Sequence, residues 1–294
     1  MHKLYVIAGP TAVGKTDAAI ALAKQLKTAI ISADSRQCYR EMKIGVARPD
    51  ERQLAAVPHY FIATHSVTER ITAAHYEQWA LQWLDEIFQE NENAVVCGGT
   101  GLYIKALCEG LDEMPPVPQE LANELQAAFE AQGKAWLQQA LQQEDPLFAA
   151  TGEMQNPARM LRALGFVRAN GASILTFRSG KKKKRPFEII KIALELPRPL
   201  LYERINLRVE KMMAAGLLEE VKSLLPYRHL PPLQTVGYQE LFDYLDGKTN
   251  LETAVALIAR NTRHYAKRQL TWLRKDPEFK WLQADKLKME DLED

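Results

Sequence analysis

The run Gly9-Pro10-Thr11-Ala12-Val13-Gly14-Lys15-Thr16 constrains this chain more than any other stretch. It satisfies the spacing G-x-x-x-x-G-K-[ST] at every fixed position. Its flanks suit the pattern. Leu4 to Ala8 is a short apolar run that predicts a buried strand. Thr16 to Leu26 carries Ala19, Ile20, Leu22, Ala23 and Leu26 at the spacing of an amphipathic helix. A strand, a tight glycine turn and a helix place backbone N–H groups and the positive end of the helix dipole around a polyphosphate. Lys15 adds a full charge, and the Thr16 hydroxyl offers a ligand for Mg²⁺. ATP, GTP and an alkyl diphosphate present the same oxygens, so the motif alone leaves the phosphate compound open.

Around this unit the sequence predicts an α/β fold: a P-loop NTPase-like core with a central parallel sheet flanked by helices, plus an inserted all-helical subdomain. Further strands are expected at Ala29–Ala33, Pro58–Ile62, Asn93–Cys97 and Phe187–Leu196, and helices at Thr72–Phe88 and Leu251–Leu273. The break Met114-Pro115-Pro116-Val117-Pro118 opens a stretch rich in Gln, Ala, Glu and Leu. There Leu121 to Phe129 and Trp136 to Leu141 read as two helices, and Asn156-Pro157 starts a third. Residues 1–114 and 186–294 are therefore expected to form the core, and residues 115–185 the insertion.

Composition excludes several classes. The chain has 294 residues, 47% of them hydrophobic, and a net charge of +1, so a nucleic-acid partner requires a local patch rather than a polycation. Three cysteines, Cys38, Cys97 and Cys108, suit reduced thiols rather than a disulfide framework, and no four-ligand zinc spacing is present. The first apolar run is broken at Gly9-Pro10, unlike a signal peptide, and no run is long enough to span a bilayer. The expected compartment is the cytoplasm, and no membrane partner is expected.

Candidate chemistry gathers at strand ends. Asp34 follows the second strand, and in an open parallel sheet ligands lie beyond the carboxyl ends of the strands. The alternative is a turn cap. Gly98-Gly99-Thr100-Gly101 is a second glycine-rich strand-to-helix turn, in which Thr100 either donates to a phosphate or leaving-group oxygen or belongs to a plain tight turn. No acid ends the strand before it, which argues against an ATP-driven machine. Arg204 and Arg208, one helical turn apart, are either a polyphosphate clamp or a solvated face. His59 reads as structural, and Trp79 and Trp83 as packing residues. The run Lys181–Arg185 is either a solvated loop or a contact for a phosphate backbone. Residues 260–275 hold Arg260, Arg263, Lys267, Arg268, Arg274 and Lys275 and no acid, with Arg260, Arg263, His264, Lys267 and Arg274 on one side. Such a basic helix points to nucleic acid before a membrane surface.

In their order and spacing these residues resemble the bacterial tRNA dimethylallyltransferases, also called tRNA isopentenyltransferases. The resemblance covers nearly the whole chain. It rests on Gly9–Thr16, Asp34–Gln37 with Tyr39-Arg40, Ile44-Gly45, Gly98–Tyr103, Arg159–Ala163, Arg204 with Arg208, Val236-Gly237-Tyr238 and Arg268–Arg274. Cys38 and Val46 depart mildly from the family pattern, and the zinc finger of some eukaryotic members is absent. The resemblance implies transfer of a dimethylallyl group from dimethylallyl diphosphate to N6 of the adenosine 3′ to the anticodon in tRNA. It implies Asp34, Thr100 and Arg208 as catalytic residues and Gly9, Pro10, Thr11, Ala12, Val13, Gly14, Lys15 and Thr16 as diphosphate binders, with Mg²⁺ on Thr16. Contacts to the tRNA anticodon stem-loop are implied for Asp34, Ser35, Arg36, Gln37 and Thr100, and for Arg159, Met160, Leu161, Arg162 and Ala163. The same holds for Gln234, Thr235, Val236, Gly237 and Tyr238, and for Lys267, Arg268, Gln269, Leu270, Thr271, Trp272, Leu273 and Arg274. The insertion is then expected to close over the anticodon loop, and the enzyme to be a monomer. Two rivals share parts of this pattern: a small-molecule kinase with Asp34 as base, which would use ATP, and a non-catalytic nucleotide-binding RNA module.

Overall fold

The structure is a computed structural model and describes residues 1–292. The chain divides into two compact units, one of Met1–Glu109 joined with the chain from Lys184 onward, the other Gly110–Lys183.

The first unit is built on a six-stranded sheet, parallel throughout. In chain order the strands are β1 (Lys3–Ala8), β2 (Ile30–Ala33), β3 (His59–Tyr60), β4 (Asn93–Gly98), β5 (Glu188–Glu195) and β6 (Lys280–Gln283). Across the sheet they run β3-β2-β4-β1-β5-β6, so β1 is central, with Leu4 opposite Ala94 on one side and Ile189 on the other. The apolar runs of β1 and β2 follow from this position, because a parallel sheet is covered on both faces. Leu4, Val6 and Ala8 pack with Ile31, Val96 and the helices α3 (Ala73–Glu90) and α4 (Gly101–Glu109). Tyr5 and Ile7 point the other way, into a cluster with Ile192 and Leu194, the helix α1 (Lys15–Gln25) and the first turns of α8 (Arg198–Ala214).

Short elements complete this unit: α2 (Glu51–Ala56), α9 (Leu217–Ser223) and α10 (Gln239–Leu245), followed by the long α11 (Leu251–Leu273). Thr72 caps α3 by accepting from the His75 amide, and Asn250 caps α11 in the same way through Thr253. The strand expected at residues 58–62 is only two residues long. Phe61 and Ala63 turn left-handed at φ 63° and 53°, and the buried Phe61 ring packs among Tyr76, Trp79, Trp83 and Tyr103. His59 is structural, with Nδ1 2.8 Å from the Val57 carbonyl and burial lowering its pKa. Among the described residues no helix is long and apolar enough to cross a membrane.

The second unit contains α5 (Gln119–Glu144), α6 (Pro146–Thr151) and α7 (Pro157–Asn170). Gly133, at φ 76° and ψ −171°, breaks α5 into the two helices read from the sequence. Its own core holds Leu125, Leu137, Leu141, Phe148, Met160, Leu164 and Phe166. Asp145 and Asn156 cap α6 and α7, and Arg168 forks onto Glu144 at 2.8 and 2.7 Å.

Candidate active site

The phosphate loop leaves β1 and enters α1 through two left-handed residues, Ala12 at φ 67° and Gly14 at φ 103°. Gly14 is the N-cap of α1 and offers no side-chain cap, so the first amides of the helix are left for a ligand. The loop is held from several directions. Gln269 in α11 accepts from the Thr11 amide at 2.9 Å and donates to the Gly99 carbonyl at 3.0 Å, tying both glycine turns to one side chain. Arg204 donates to the Val13 carbonyl at 3.3 Å, and Arg208 to the Thr11 hydroxyl at 3.4 Å. The two arginines therefore serve the loop rather than a solvated face.

Lys15 folds back over the loop, its Nζ 3.3 Å from the Pro10 carbonyl, and no carboxylate lies within ion-pair distance of it among the described residues. Burial lowers its pKa. The nearby Cys97 and Asp34 oppose that shift, and Arg208 adds to it. Burial lowers Arg208 as well. Lys15 and Arg208 thus meet in one pocket with the carboxylates of Asp17 and Asp34, and neither cation is in an ion pair among the described residues, an arrangement that leaves both open to an anionic ligand. The pocket is lined by Thr11, Ala12, Gly14, Lys15, Thr16, Asp34, Arg36, Gln37, Gly45, Val46, Ala47 and Arg208, with Val209, Met212, Thr235, Val236, Ile258, Tyr265 and Gln269 among its other walls. The lining mixes the charged Lys15, Asp17, Asp34, Arg36 and Arg208 with the apolar Val46, Val209, Met212, Val236 and Ile258.

Asp34 is both turn cap and pocket residue. Its Oδ1 accepts from the amides of Arg36 at 2.9 Å and Gln37 at 3.2 Å. Its Oδ2 accepts no hydrogen bond among the described residues. The turn cap read from the sequence is present on Oδ1, in a residue that also lines the pocket. Thr100 differs from expectation. Its hydroxyl accepts from the Ser35 amide at 3.0 Å and donates to the Ser35 hydroxyl at 3.3 Å, and it does not line the pocket. It fastens the end of β2 to the start of α4. The close approach there is strict. A Cβ on Gly98 would lie 2.2 Å from the Ala33 carbonyl oxygen, and one on Gly101 would lie 2.2 Å from the Trp272 ring.

A match to the IPP transferase family model runs over residues 37–276. The chain belongs to that family. The tRNA dimethylallyltransferase of Christiangramia forsetii is 47% identical over 279 residues, 95% of this chain and 92% of the relative. The tRNA dimethylallyltransferase 1 of Bacteroides thetaiotaomicron is 44% identical over 97% of this chain and 92% of its own length. Among solved structures, the full-length tRNA isopentenylpyrophosphate transferase of Bacillus halodurans superposes with a TM-score of 0.73 at 35% identity, covering 100% of this chain and 94% of that one. A eukaryotic dimethylallyltransferase, at 22% identity and a TM-score of 0.79, shares the fold.

Several residues expected to meet tRNA turn inward. Met160, Ala163, Tyr238, Gln269 and Leu273 are buried, so their side chains build cores or, for Gln269, brace the phosphate loop. Arg263 is half-buried against Asn206 Oδ1 at 2.7 Å and over the Tyr202 ring, and Arg274 lies 3.6 Å from Glu195 and over Trp281. Arg260, Lys267 and Arg268 are exposed on α11 and form no ion pair among the described residues. Arg268 stacks over the ring of Tyr265 at the pocket edge. Arg159 pairs with Glu153.

Arg185 corrects the reading of its basic run. Its guanidinium is buried and donates to Glu77 and to the Ala106 and Leu107 carbonyls, each at 2.8 Å. Two residues were missed outright: Tyr265 in the pocket wall and Glu220, which binds a pocket loop. Nothing in the local sequence marks them, because each acts through partners far away in the chain.

Proposed function

We infer that the chain is a tRNA dimethylallyltransferase, transferring a dimethylallyl group from its diphosphate to N6 of the adenosine 3′ to the anticodon and releasing diphosphate. The observation that carries this is the pocket itself: Lys15 and Arg208 without an ion pair among the described residues, apolar lining residues, and the open Oδ2 of Asp34, in a member of the IPP transferase family. A kinase would share the cations, and it is the family match that favours the transferase.

The chemistry follows from these groups. The C–O bond to diphosphate breaks as N6 forms a bond to the same allylic carbon. Negative charge then grows on the phosphate oxygens, where Lys15, Arg208 and the free amides at the start of α1 stabilise it. The adenine amine is a weak nucleophile, because its lone pair is delocalised into the ring. Asp34 Oδ2 accepts its proton, while Oδ1 keeps the carboxylate aimed through the Arg36 and Gln37 amides. The base must leave its stack to reach this acid, and Ser35, Arg36 and Gln37 stand beside it. Thr100 acts by positioning Ser35.

A divalent cation fits the donor set. The Thr16 hydroxyl opens on the pocket and makes no hydrogen bond among the described residues, and hard oxygen donors suit Mg²⁺. When bound, the ion neutralises charge on the diphosphate. The exposed Arg260, Lys267 and Arg268 supply phosphate contacts for tRNA. We place the enzyme in the cytoplasm, as a monomer, where tRNA and reduced thiols occur together. The test is mass analysis of nucleosides from unmodified tRNA incubated with the protein, Mg²⁺ and dimethylallyl diphosphate. A mass gain of one dimethylallyl group on adenosine is expected, and unmodified tRNA would overturn the reading.

A further inference from the structure

One loop of the pocket is built around a carboxylate that the reaction itself does not use. Glu220 in α9 accepts four hydrogen bonds. Its Oε2 takes the amides of Lys43 at 3.1 Å and Ile44 at 2.7 Å, and its Oε1 takes the Gly45 amide at 3.0 Å and the Tyr238 hydroxyl at 2.7 Å. Three consecutive amides converging on one point form an anion-binding concavity, a geometry that elsewhere receives phosphate. Here the chain fills it with its own side chain.

The loop so held goes straight into the pocket. Gly45, Val46 and Ala47 are wall residues, and Ala47 is left-handed at φ 48°. Gln37 donates to the Val46 and Ala47 carbonyls at 3.2 and 3.0 Å, and the Gln37 amide in turn donates to Asp34 Oδ1. Hydrogen bonds and the covalent chain between them therefore link Glu220, through the loop, the Gln37 side chain and the Gln37 backbone N–H, to the acid of the site. On the far side, Tyr238 closes the clasp. Its ring lies 2.6 Å from where a Gly45 Cβ would stand. Burial, and then the Glu220 charge, raise the Tyr238 pKa far above the ordinary value, so its hydroxyl remains a donor.

We propose that Glu220 is a positioning residue for the transfer reaction: by filling the amide concavity of residues 43–45 it sets the Gly45–Ala47 wall and, through Gln37, the aim of Asp34. It touches neither substrate. The phosphate ligands Lys15 and Arg208 belong to other elements, so loss of Glu220 should appear in kcat rather than in diphosphate affinity.

The proposal rests on the transferase reading, and wild-type enzyme assayed alongside separates the two. If wild type modifies no tRNA, that reading fails whatever the variant does. Given an active wild type, Glu220→Ala removes the side chain beyond Cβ, a fragment of the size and charge of acetate. We expect kcat to fall about 100-fold, as a displaced reacting group costs, with inorganic diphosphate binding within about twofold of wild type. Acetate should restore much of the lost kcat by occupying the three amides, whereas chloride at equal ionic strength should not. A kcat within about threefold of wild type overturns the proposal, as does a loss in a folded variant that acetate leaves unchanged. Should Glu220→Ala fail to fold, Tyr238→Phe keeps the ring against Gly45 and deletes one of the four bonds. A several-fold fall in kcat without change in diphosphate binding is then expected, and an unaltered kcat overturns the proposal.

Discussion

Lys15 and Lys191 sit in the same sheet-centred unit, the first half-buried and the second buried, and their surroundings are opposite. Lys191, on β5, is buried among three carboxylates: Asp276 and Glu278 at 2.7 Å and Glu109 at 3.6 Å. Burial would lower its pKa, but the hydrogen bonds to Asp276 and Glu278 outweigh that and raise it. The three acids lie close enough together to suggest a metal cluster, but the lysine already supplies their cation. Lys15 has no such acid, and its pKa is lowered. A cation satisfied inside the chain serves the fold, whereas in the function proposed above Lys15, with no ion pair among the described residues, serves the ligand. The same contrast separates Arg185, paired with Glu77, from Arg208, and on α11 it separates Arg274, beside Glu195, from Arg260, Lys267 and Arg268.

The largest effect should follow from Lys15→Met. Turnover should be lost, because the charge on the leaving oxygens is gone. The free protein should nevertheless unfold at a higher temperature than wild type. The sign follows from the lowered pKa: the unfolded chain holds this proton more tightly than the native state. The cost of charged Lys15 is therefore present at neutral pH and fades as pH rises towards 10.5. Calorimetry across pH should show the advantage of Lys15→Met shrinking along that rise. A variant less stable than wild type at neutral pH would break the comparison.

Next in size is Asp34→Asn. The amide can still cap the Arg36–Gln37 turn through its oxygen, but it cannot take a proton. Single-turnover transfer with both substrates saturating should fall by about 10²–10⁴. A rate within a few-fold of wild type would leave Asp34 as a turn cap alone.

Lys191→Met probes the other side of the comparison. It removes the cation held between Glu109, Asp276 and Glu278, which should destabilise the fold by about 3 kcal/mol in denaturant titration. At a temperature where the variant stays folded, kcat should match wild type. Lost activity with unchanged stability would sink the division drawn here.

The smallest effect concerns the surface. Changing Arg260, Lys267 and Arg268 together to Gln should weaken tRNA binding and lower the slope of log affinity against log salt by about 2, if each meets a phosphate. Arg274→Gln, which removes an exposed and already paired charge, should change affinity by no more than about twofold. Equal effects from both would remove the distinction on α11.

These contrasts also mark how far the sequence could be read. The phosphate loop and α11 were legible because their signals are local: fixed spacing in one, helical periodicity and a run of uncompensated charge in the other. Pairing between distant segments was not. Arg185 looked like the end of a solvated basic run, because Glu77 and the α4 carbonyls are far from it in sequence. Gln269 stood within a stretch expected to meet tRNA, and only the folded chain shows it bound to Thr11 and Gly99. Glu220 reads locally as one more acid in a short helix. β6 escaped notice because four residues, Lys280–Gln283, carry no periodicity of their own and gain order only from register with β5.

The placement of β1 sets a timetable for synthesis. Its first neighbour, β4, emerges early enough to pair while the chain is still growing, but its other neighbour, β5, follows the whole Gly110–Lys183 unit. Until then one edge of β1 has unmet amides and carbonyls, and Ile7 lacks the Ile192 partner that covers it. The helical unit, with its own core, can condense during that wait, while the central strand stays half-made. The glycine loop hangs from the end of that strand, and its Arg204, Arg208 and Gln269 braces arrive later still, so the nascent protein completes the pocket around that loop last.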